Sequence, residues 1–420
     1  MHYKDLLSNG IRVVTEEISF VHSVSIGIWV GTGSRYETEI NNGISHFLEH
    51  MLFKGTHKRT AKEIAESLEM VGGQLNAFTS KEHTCFYAKV LNEHFDLATD
   101  VLADMVLNSL FRVEDIEKER NVILEEIKMY EDTPDELVHD VFAKTIWQYD
   151  PLGKSIIGSI DTVEQITRNK LISHYESFYV PENIVISVVG NIKREVVLNR
   201  MEKLFSQLSG DKPKIKLVTP QSSNRTSFVM KDIEQIHLCL GVPGLASQDE
   251  DIYTLAVLNH VLGGGLSSRL FQEVREDRGL TYSIYSYHSG YSNTGLFSVY
   301  AGTSEQNAQE VVEIVLKQIA SIKKQGITKE ELENTKQHIK GTILLSLENI
   351  NNRMNRMGKS EISYNRIVTP EEILESVLKV TVENIIEIAN KIFCWDNFAF
   401  AAVGSKEPDF TIEQLIEKID

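Results

Sequence analysis

An α+β fold built from two structurally similar halves, each with helices packed on a largely antiparallel sheet, is what this sequence predicts. Three observations carry the prediction. Segments recur at an offset of about 210 residues: 23–31 (SVSIGIWVG) resembles 235–242 (QIHLCLGV), and 183–190 (NIVISVVG) resembles 397–404 (NFAFAAVG). Helical and strand patterns mix within each half without strict alternation, which disfavours a doubly wound parallel sheet. Between the copies, 209–226 is rich in Pro, Ser and charge, the composition of a connecting segment. The expected division is therefore 1–210, a linker at 211–226, and a second half at 227–420.

Taken in order, residues 11–14 and 23–30 read as strands, being alternating or β-branched. Residues 44–52 read as a helix: Ile44, Phe47, Leu48, Met51 and Leu52 form an apolar stripe, while His46, Glu49 and His50 fall on a different face. Gly72-Gly73 leads into 74–80, and Ser80-Lys-Glu-His83 is a hairpin turn before a strand at 84–90. An edge strand there pairs readily with an extended peptide through main-chain hydrogen bonds. Residues 113–130 form the next helix, the turn Asp132-Thr-Pro134 ends it, and Glu136 and Asp140 then share a face at i, i+4 spacing. A strand at 184–189 closes the first half, and 331–342 is the second-half counterpart of the 113–130 helix. The offset lays His46, Glu49 and His50 on Ala256, Asn259 and His260, so the second copy keeps the scaffold without this residue set.

Composition narrows the function classes. The chain has 420 residues with 42% hydrophobic content, enough for a large core, and a net charge of −17 that argues against nucleic-acid binding. No run of 18 apolar residues occurs, and residues 1–10 lack the apolar core of a signal peptide, so no membrane insertion and a cytoplasmic location are expected. Cys85, Cys239 and Cys394 are too few and too scattered for a disulfide framework and should pack as small hydrophobes.

Chemistry concentrates at His46-Phe47-Leu48-Glu49-His50, an H-x-x-E-H pattern. Two imidazoles one helical turn apart can bind one metal ion, and the carboxylate between them reaches a water on that ion. A catalytic zinc usually takes a third protein ligand. Glu126 is the candidate: Val122, Ile123, Met129 and Tyr130 surround it at helical spacing, which predicts a carboxylate turned inward that needs a compensating cation. Glu125 sees Asn121 and Lys128 and reads as solvated, whereas Glu119 lies two turns before Glu126 on nearly the same face. The pattern also fits two partly exposed helix glutamates.

These residues, with HFLEHMLFKGT (46–56), GGQLNAFT (72–79) and the segment from Leu266 to Tyr282, resemble the inverted-zincin peptidases, a family that includes the mitochondrial processing peptidase, insulin-degrading enzyme and bacterial relatives. The resemblance covers nearly the whole chain, and the length matches the bacterial processing-peptidase-like branch. It implies a zinc metalloendopeptidase acting on extended or unfolded peptides in an enclosed chamber, with one Zn2+ per chain held by His46, His50 and Glu126. By the same resemblance, Glu49 is the general base on zinc-bound water, and Glu119 orients a ligand. Asn76, Ala77 and Phe78 bind the peptide main chain, and Arg275 and Tyr282 meet its carbonyl or the developing oxyanion. Glu136 and Asp140 stand where relatives carry acids that bind a substrate arginine. Both the ligands and the Arg-Tyr pair occur in one chain, so the expected assembly is a homodimer whose sites join one chain's first half to the other's second half. Two other readings, a non-catalytic structural subunit and a peptide-holding chamber with structural zinc, are disfavoured by the intact ligands and by Glu49, since a structural zinc site needs no base.

Overall fold

The computed structural model describes residues 2–223 and 225–419. A first sheet contains β1 (His2–Leu6), β2 (Arg12–Glu17), β3 (Ser23–Val30), β4 (Gln74–Thr79), β5 (Thr84–Leu91) and β6 (Ile184–Gly190), in the order β1-β2-β6-β3-β5-β4. Its pairs are antiparallel except β2 with β6. The second sheet contains β7 (Thr226–Met230), β8 (Ile236–Gly244), β9 (Thr281–Gly290), β10 (Gly295–Thr303) and β11 (Ala399–Gly404), in the order β7-β11-β8-β10-β9. Again one pair is parallel, β7 with β11. Strand for strand, β2, β6, β3, β5 and β4 correspond to β7, β11, β8, β10 and β9, so the α+β duplication expected from the repeat is the architecture observed.

Two compact units form, but not from contiguous halves: one comprises Met1–Ile127, Ser155–Lys216 and Leu344–Val368, the other Lys128–Lys154, Leu217–Ile343 and Thr369–Asp420. The departure from a simple 1–210 and 227–420 division has a packing cause. Each copy lends a helix to the other copy's sheet. Ile350, Met354 and Met357 of the helix Ile350–Tyr364 bury against Val14, Trp29, Cys85, Val185 and Val189 of the first sheet. Glycines make this approach close: a Cβ at Gly358 would sit 2.1 Å from the Trp29 indole nitrogen, and one at Gly27 would sit 2.3 Å from the Met354 sulfur. In the second unit, Val138, Phe142 and Ile146 pack against Cys239, Leu296, Tyr300 and the inner residues of β11. The described residues between 208 and 225 carry no helix or strand, as a linker should.

The helices that position the site are α1 (Ile44–Leu52), α2 (Ala61–Glu69), α3 (Phe95–Asn108), α4 (Val113–Glu131) and α5 (Pro134–Ile146). The α1 stripe of Ile44, Phe47, Leu48, Met51 and Leu52 is fully buried in the first core together with Ile116, Ile123 and Ile127 of α4. Burying five large apolar side chains at about 2 kcal/mol each fixes α1 against the sheet and leaves its other face for chemistry.

Candidate metal centre

Gly43 begins α1 with φ of 93°, a left-handed conformation that a side chain resists, and a Cβ there would also approach the Ile157 carbonyl oxygen to 2.7 Å. The first turn is held by the buried Glu37 carboxylate, which accepts hydrogen bonds from Gly43 N (2.7 Å), Ser45 N (2.8 Å) and Asn42 Nδ2 (3.0 Å). An anion at this end also complements the helix dipole. Burial pushes the Glu37 carboxyl up, and its hydrogen bonds oppose that rise.

On the other face of α1, the side chains of the buried His46, the partly buried His50 and the α4 residue Glu126 converge, one donor atom from each lying within 4.8 Å of the others. His46 Nε2 is 3.7 Å from Glu126 Oε1, and His50 Nε2 is 3.6 Å from Glu126 Oε2. Those separations are too long for hydrogen bonds. They approach the edge of about 3.3 Å that a tetrahedron with zinc–nitrogen bond lengths would have. Burial, and then the neighbouring His50, bring the His46 pKa down to about 3, so this imidazole is neutral at pH 7 with a lone pair to give. Nitrogen, nitrogen and carboxylate oxygen form a donor set that fits zinc.

His50 is oriented from behind. Its Nδ1 lies 3.1 Å from Glu119 Oε2, and Lys54 Nζ lies 2.6 Å from the other Glu119 oxygen. Burial alone would raise the Glu119 carboxyl, but hydrogen bonds from His50 and Lys54 bring it below the usual range. A carboxylate on Nδ1 fixes the tautomer that turns Nε2 toward Glu126. His46 differs, for its Nδ1 is buried without a hydrogen-bond partner among the described residues.

Glu49 accepts a hydrogen bond from Thr79 Oγ1 at 2.6 Å. Burial raises its pKa, the Thr79 bond and His50 act against the rise, and the nearby Glu126 carboxylate adds to it. A carboxylate of increased basicity beside a metal-type donor set suits proton transfer. Thr79 ends β4, the edge strand of the first sheet, so this bond couples the candidate base to the strand bearing Asn76, Ala77 and Phe78. Asn76 is exposed, Ala77 and Phe78 are half-buried, and the turn Ser80–His83 closes through Ser80 N to His83 O at 2.8 Å.

Glu126 does not have the inward-facing apolar surround that its helical spacing predicts. Val122 and Met129 are 49% and 65% exposed, so α4 does not turn all four apolar neighbours inward; Ile123 is buried, and Glu126 itself is partly open to solvent. Helical spacing marked the correct face of α4 but not which side of that face the core occupies.

Arg275, Tyr282, Glu136 and Asp140 belong to the other unit. There the Arg275 guanidinium stands 4.7 Å from the Phe271 ring centroid and 4.9 Å from that of Tyr282, whose ring is 77% exposed. Glu136 and Asp140 share a face of α5, as expected, and the Tyr130 phenol hydrogen-bonds Glu136. Three contributors were missed in the sequence. Lys54, four residues after His50, was accessible to the i, i+4 rule, whereas Thr79 and Glu37 reach the site only through tertiary packing.

Comparison with known proteins now decides the family. Residues 12–160 match the model described as insulinase, peptidase family M16, and residues 165–339 match that of the peptidase M16 inactive domain. The chain belongs to peptidase family M16. Among its relatives in this family, a Bacillus subtilis protein described as the uncharacterized zinc protease YmxG is 46% identical over 94% of this chain and 96% of its own length. An uncharacterized zinc protease of Streptomyces coelicolor is 40% identical over 92% of this chain and 86% of its own. The M16 fold is also seen in a peptidase M16 inactive domain from Pseudomonas fluorescens (TM-score 0.91, 20% identity, 98% of this chain and 100% of that one). A protease from Helicobacter pylori matches with TM-score 0.89 and 24% identity over 96% of this chain and 99% of that one. Among the described residues, no helix is long and apolar enough to cross a membrane.

Proposed function

We propose that this M16 chain is a zinc metalloendopeptidase that hydrolyses extended or unfolded peptides in an enclosed chamber, with Glu49 as general base. The carrying observation is the bond from Thr79 to Glu49, which joins the candidate base to an edge strand beside the His46, His50 and Glu126 donors. Those three residues would hold one Zn2+ per chain, which would supply Lewis acidity toward a carbonyl and a water. Thr79 engages one Glu49 oxygen and leaves the other to accept a proton and pass it to the departing amine. Glu119 keeps the His50 ring oriented throughout. A peptide adds to β4 along Asn76, Ala77 and Phe78, and this mode selects extended chains over folded ones.

Arg275 and Tyr282 stabilise charge developing on the scissile carbonyl, a role worth about 3 kcal/mol at comparable sites. Glu136 and Asp140 receive a basic side chain near the scissile bond. The working assembly is a cytoplasmic homodimer sharing sites in trans. Glu49→Gln and Arg275→Ala chains, each nearly inactive alone, should then regain part of the activity when mixed and allowed to exchange subunits. Exchange without recovery would place each site within one chain. The central test is metal analysis coupled to a quenched-peptide assay: chelation should abolish cleavage and zinc should restore it. Full activity in zinc-free protein would defeat the proposal.

A further inference from the structure

The two imidazoles of the candidate metal centre are held unequally. His46 has no hydrogen-bond partner for its buried Nδ1 among the described residues, whereas His50 Nδ1 meets Glu119 Oε2 at 3.1 Å. Orientation of the donor set therefore rests on Glu119, a buried carboxylate whose other oxygen meets Lys54 Nζ at 2.6 Å. Among the described residues, Glu119 has these two polar partners and no third. Lys54 follows the end of α1, and the main chain around it is pinned on both sides. Its own N–H donates to the Met51 carbonyl at 3.1 Å, and the carbonyl of Gly55 accepts from Leu110 N at 3.2 Å. One residue on, the Thr56 hydroxyl donates to Asp104 at 2.7 Å. The ammonium thus reaches back to α4 from a fixed point.

We infer that Lys54 is a positioning residue of the metal centre: by holding Glu119 Oε1 it keeps Glu119 Oε2 on His50 Nδ1, and so keeps His50 Nε2 turned toward Glu126. The inference rests on the reading of His46, His50 and Glu126 as zinc ligands. Without the ammonium, Oε1 would be a buried anion with nothing to pair with, a state that carboxylates in proteins avoid. Rotation toward solvent relieves it, and His50 Nδ1 then loses its acceptor. Losing such a support typically lowers metal affinity by about 10- to 100-fold. A purely electrostatic role has the opposite sign, because removing a positive charge near a cation site tightens the binding of the cation. The ammonium is partly open to solvent and touches the donor set only through Glu119 and the His50 ring, so that repulsion is weakened and orientation decides.

Zinc dissociation constants of the full-length protein, measured by competition with a chromophoric chelator, decide the sign. Lys54→Met should weaken zinc binding by about 10-fold, the lower end of the range for such supports, and Lys54→Arg should restore most of it. In the Glu119→Gln background Lys54→Met should have little further effect, because Lys54 acts through that carboxylate. Nitrogen NMR of the zinc-free protein gives a second readout: the His50 tautomer protonated at Nδ1 should dominate in the wild type and lose its dominance in Lys54→Met. Circular dichroism matching the wild type separates a lost support from a lost fold. Affinity unchanged or tighter in Lys54→Met, with His50→Ala weakening zinc as loss of a ligand should, would overturn the inference and leave the metal centre standing. A wild type that binds no zinc would instead defeat the ligand reading, and the His50 tautomer in Lys54→Met would then decide by itself whether Lys54 positions the ring.

Discussion

Apart from the extra strand β1, the two copies carry the same sheet connectivity, down to one parallel pair at corresponding positions, yet among the described residues only the first assembles three metal-type donors and a basic carboxylate. At the repeat positions of His46, Glu49 and His50 the second has Ala256, Asn259 and His260. Its counterpart of α4 carries Glu331, but that carboxylate is spent on Arg269, with Nε to Oε1 at 2.6 Å and Nη2 to Oε2 at 2.8 Å. The apolar positions that build each sheet and its helices are preserved in kind, while the chemistry rests on a few side chains that contribute little to either core. Scaffold and chemistry are thus separable, and substitutions that touch one should spare the other.

The sharpest separation is at Glu49. Glu49→Gln should reduce peptide hydrolysis by at least about 100-fold, the scale of losing a general base, while about one zinc per chain is retained. Turnover near normal in that variant would remove Glu49 from the mechanism. Glu126→Gln should lower zinc occupancy and activity together, whereas Glu331→Gln should cost stability and leave zinc content unchanged. Unaltered zinc affinity in Glu126→Gln would transfer the ligand role to Glu119 or Glu125.

Acid should strain the first unit in a way its buried histidines specify. Burial depresses His174 to about 4, and burial followed by the Lys359 charge depresses His83 to about 4, from an ordinary value of 6.5. The unfolded chain takes up these protons first, so stability is full above pH 6.5 and declines as pH falls toward 4, by up to about 3 kcal/mol for each group. Glu37 works in the opposite sense, since its raised carboxyl is protonated more readily in the fold and offsets part of the loss. Denaturant titrations of zinc-free protein between pH 7 and 4.5 measure the slope. His174→Gln should flatten it, and an unchanged slope would show that this ring does not govern acid stability.

How much of this was legible in the sequence depended on range. The α1 face and the hairpin from β4 to β5 follow from spacings of two to four residues, the strand repeats follow from segments that recur about 210 residues apart, and all were readable. The exchange of helices between sheets was not, because Met354 on Trp29 and Phe142 on β11 are tertiary contacts with no local signature. The same limit hid Glu37 and Thr79, and it misplaced Val122 and Met129, whose spacing looks like a core stripe although both face solvent.

The smallest expected effect concerns Glu136 and Asp140, which lie in the second unit although the first half of the sequence encodes them. Burial raises the pKa of the Tyr130 phenol, and the Asp140 and Glu136 carboxylates beside it add to the rise, so it remains protonated and donates to Glu136. One Glu136 oxygen is therefore engaged, and the other remains, with Asp140, to receive a guanidinium. Glu136 is exposed, so water and salt screen this pairing, and a preference of about 1 kcal/mol, roughly fivefold in kcat/KM, is the scale to expect. Peptides differing only by Arg against Ala at each position near the cleavage site should show it with wild type, more strongly at low salt, and Glu136→Gln/Asp140→Asn should erase it. A preference that survives the double substitution, or none in the wild type, would exclude these acids from specificity and leave the His46, His50 and Glu126 centre untouched.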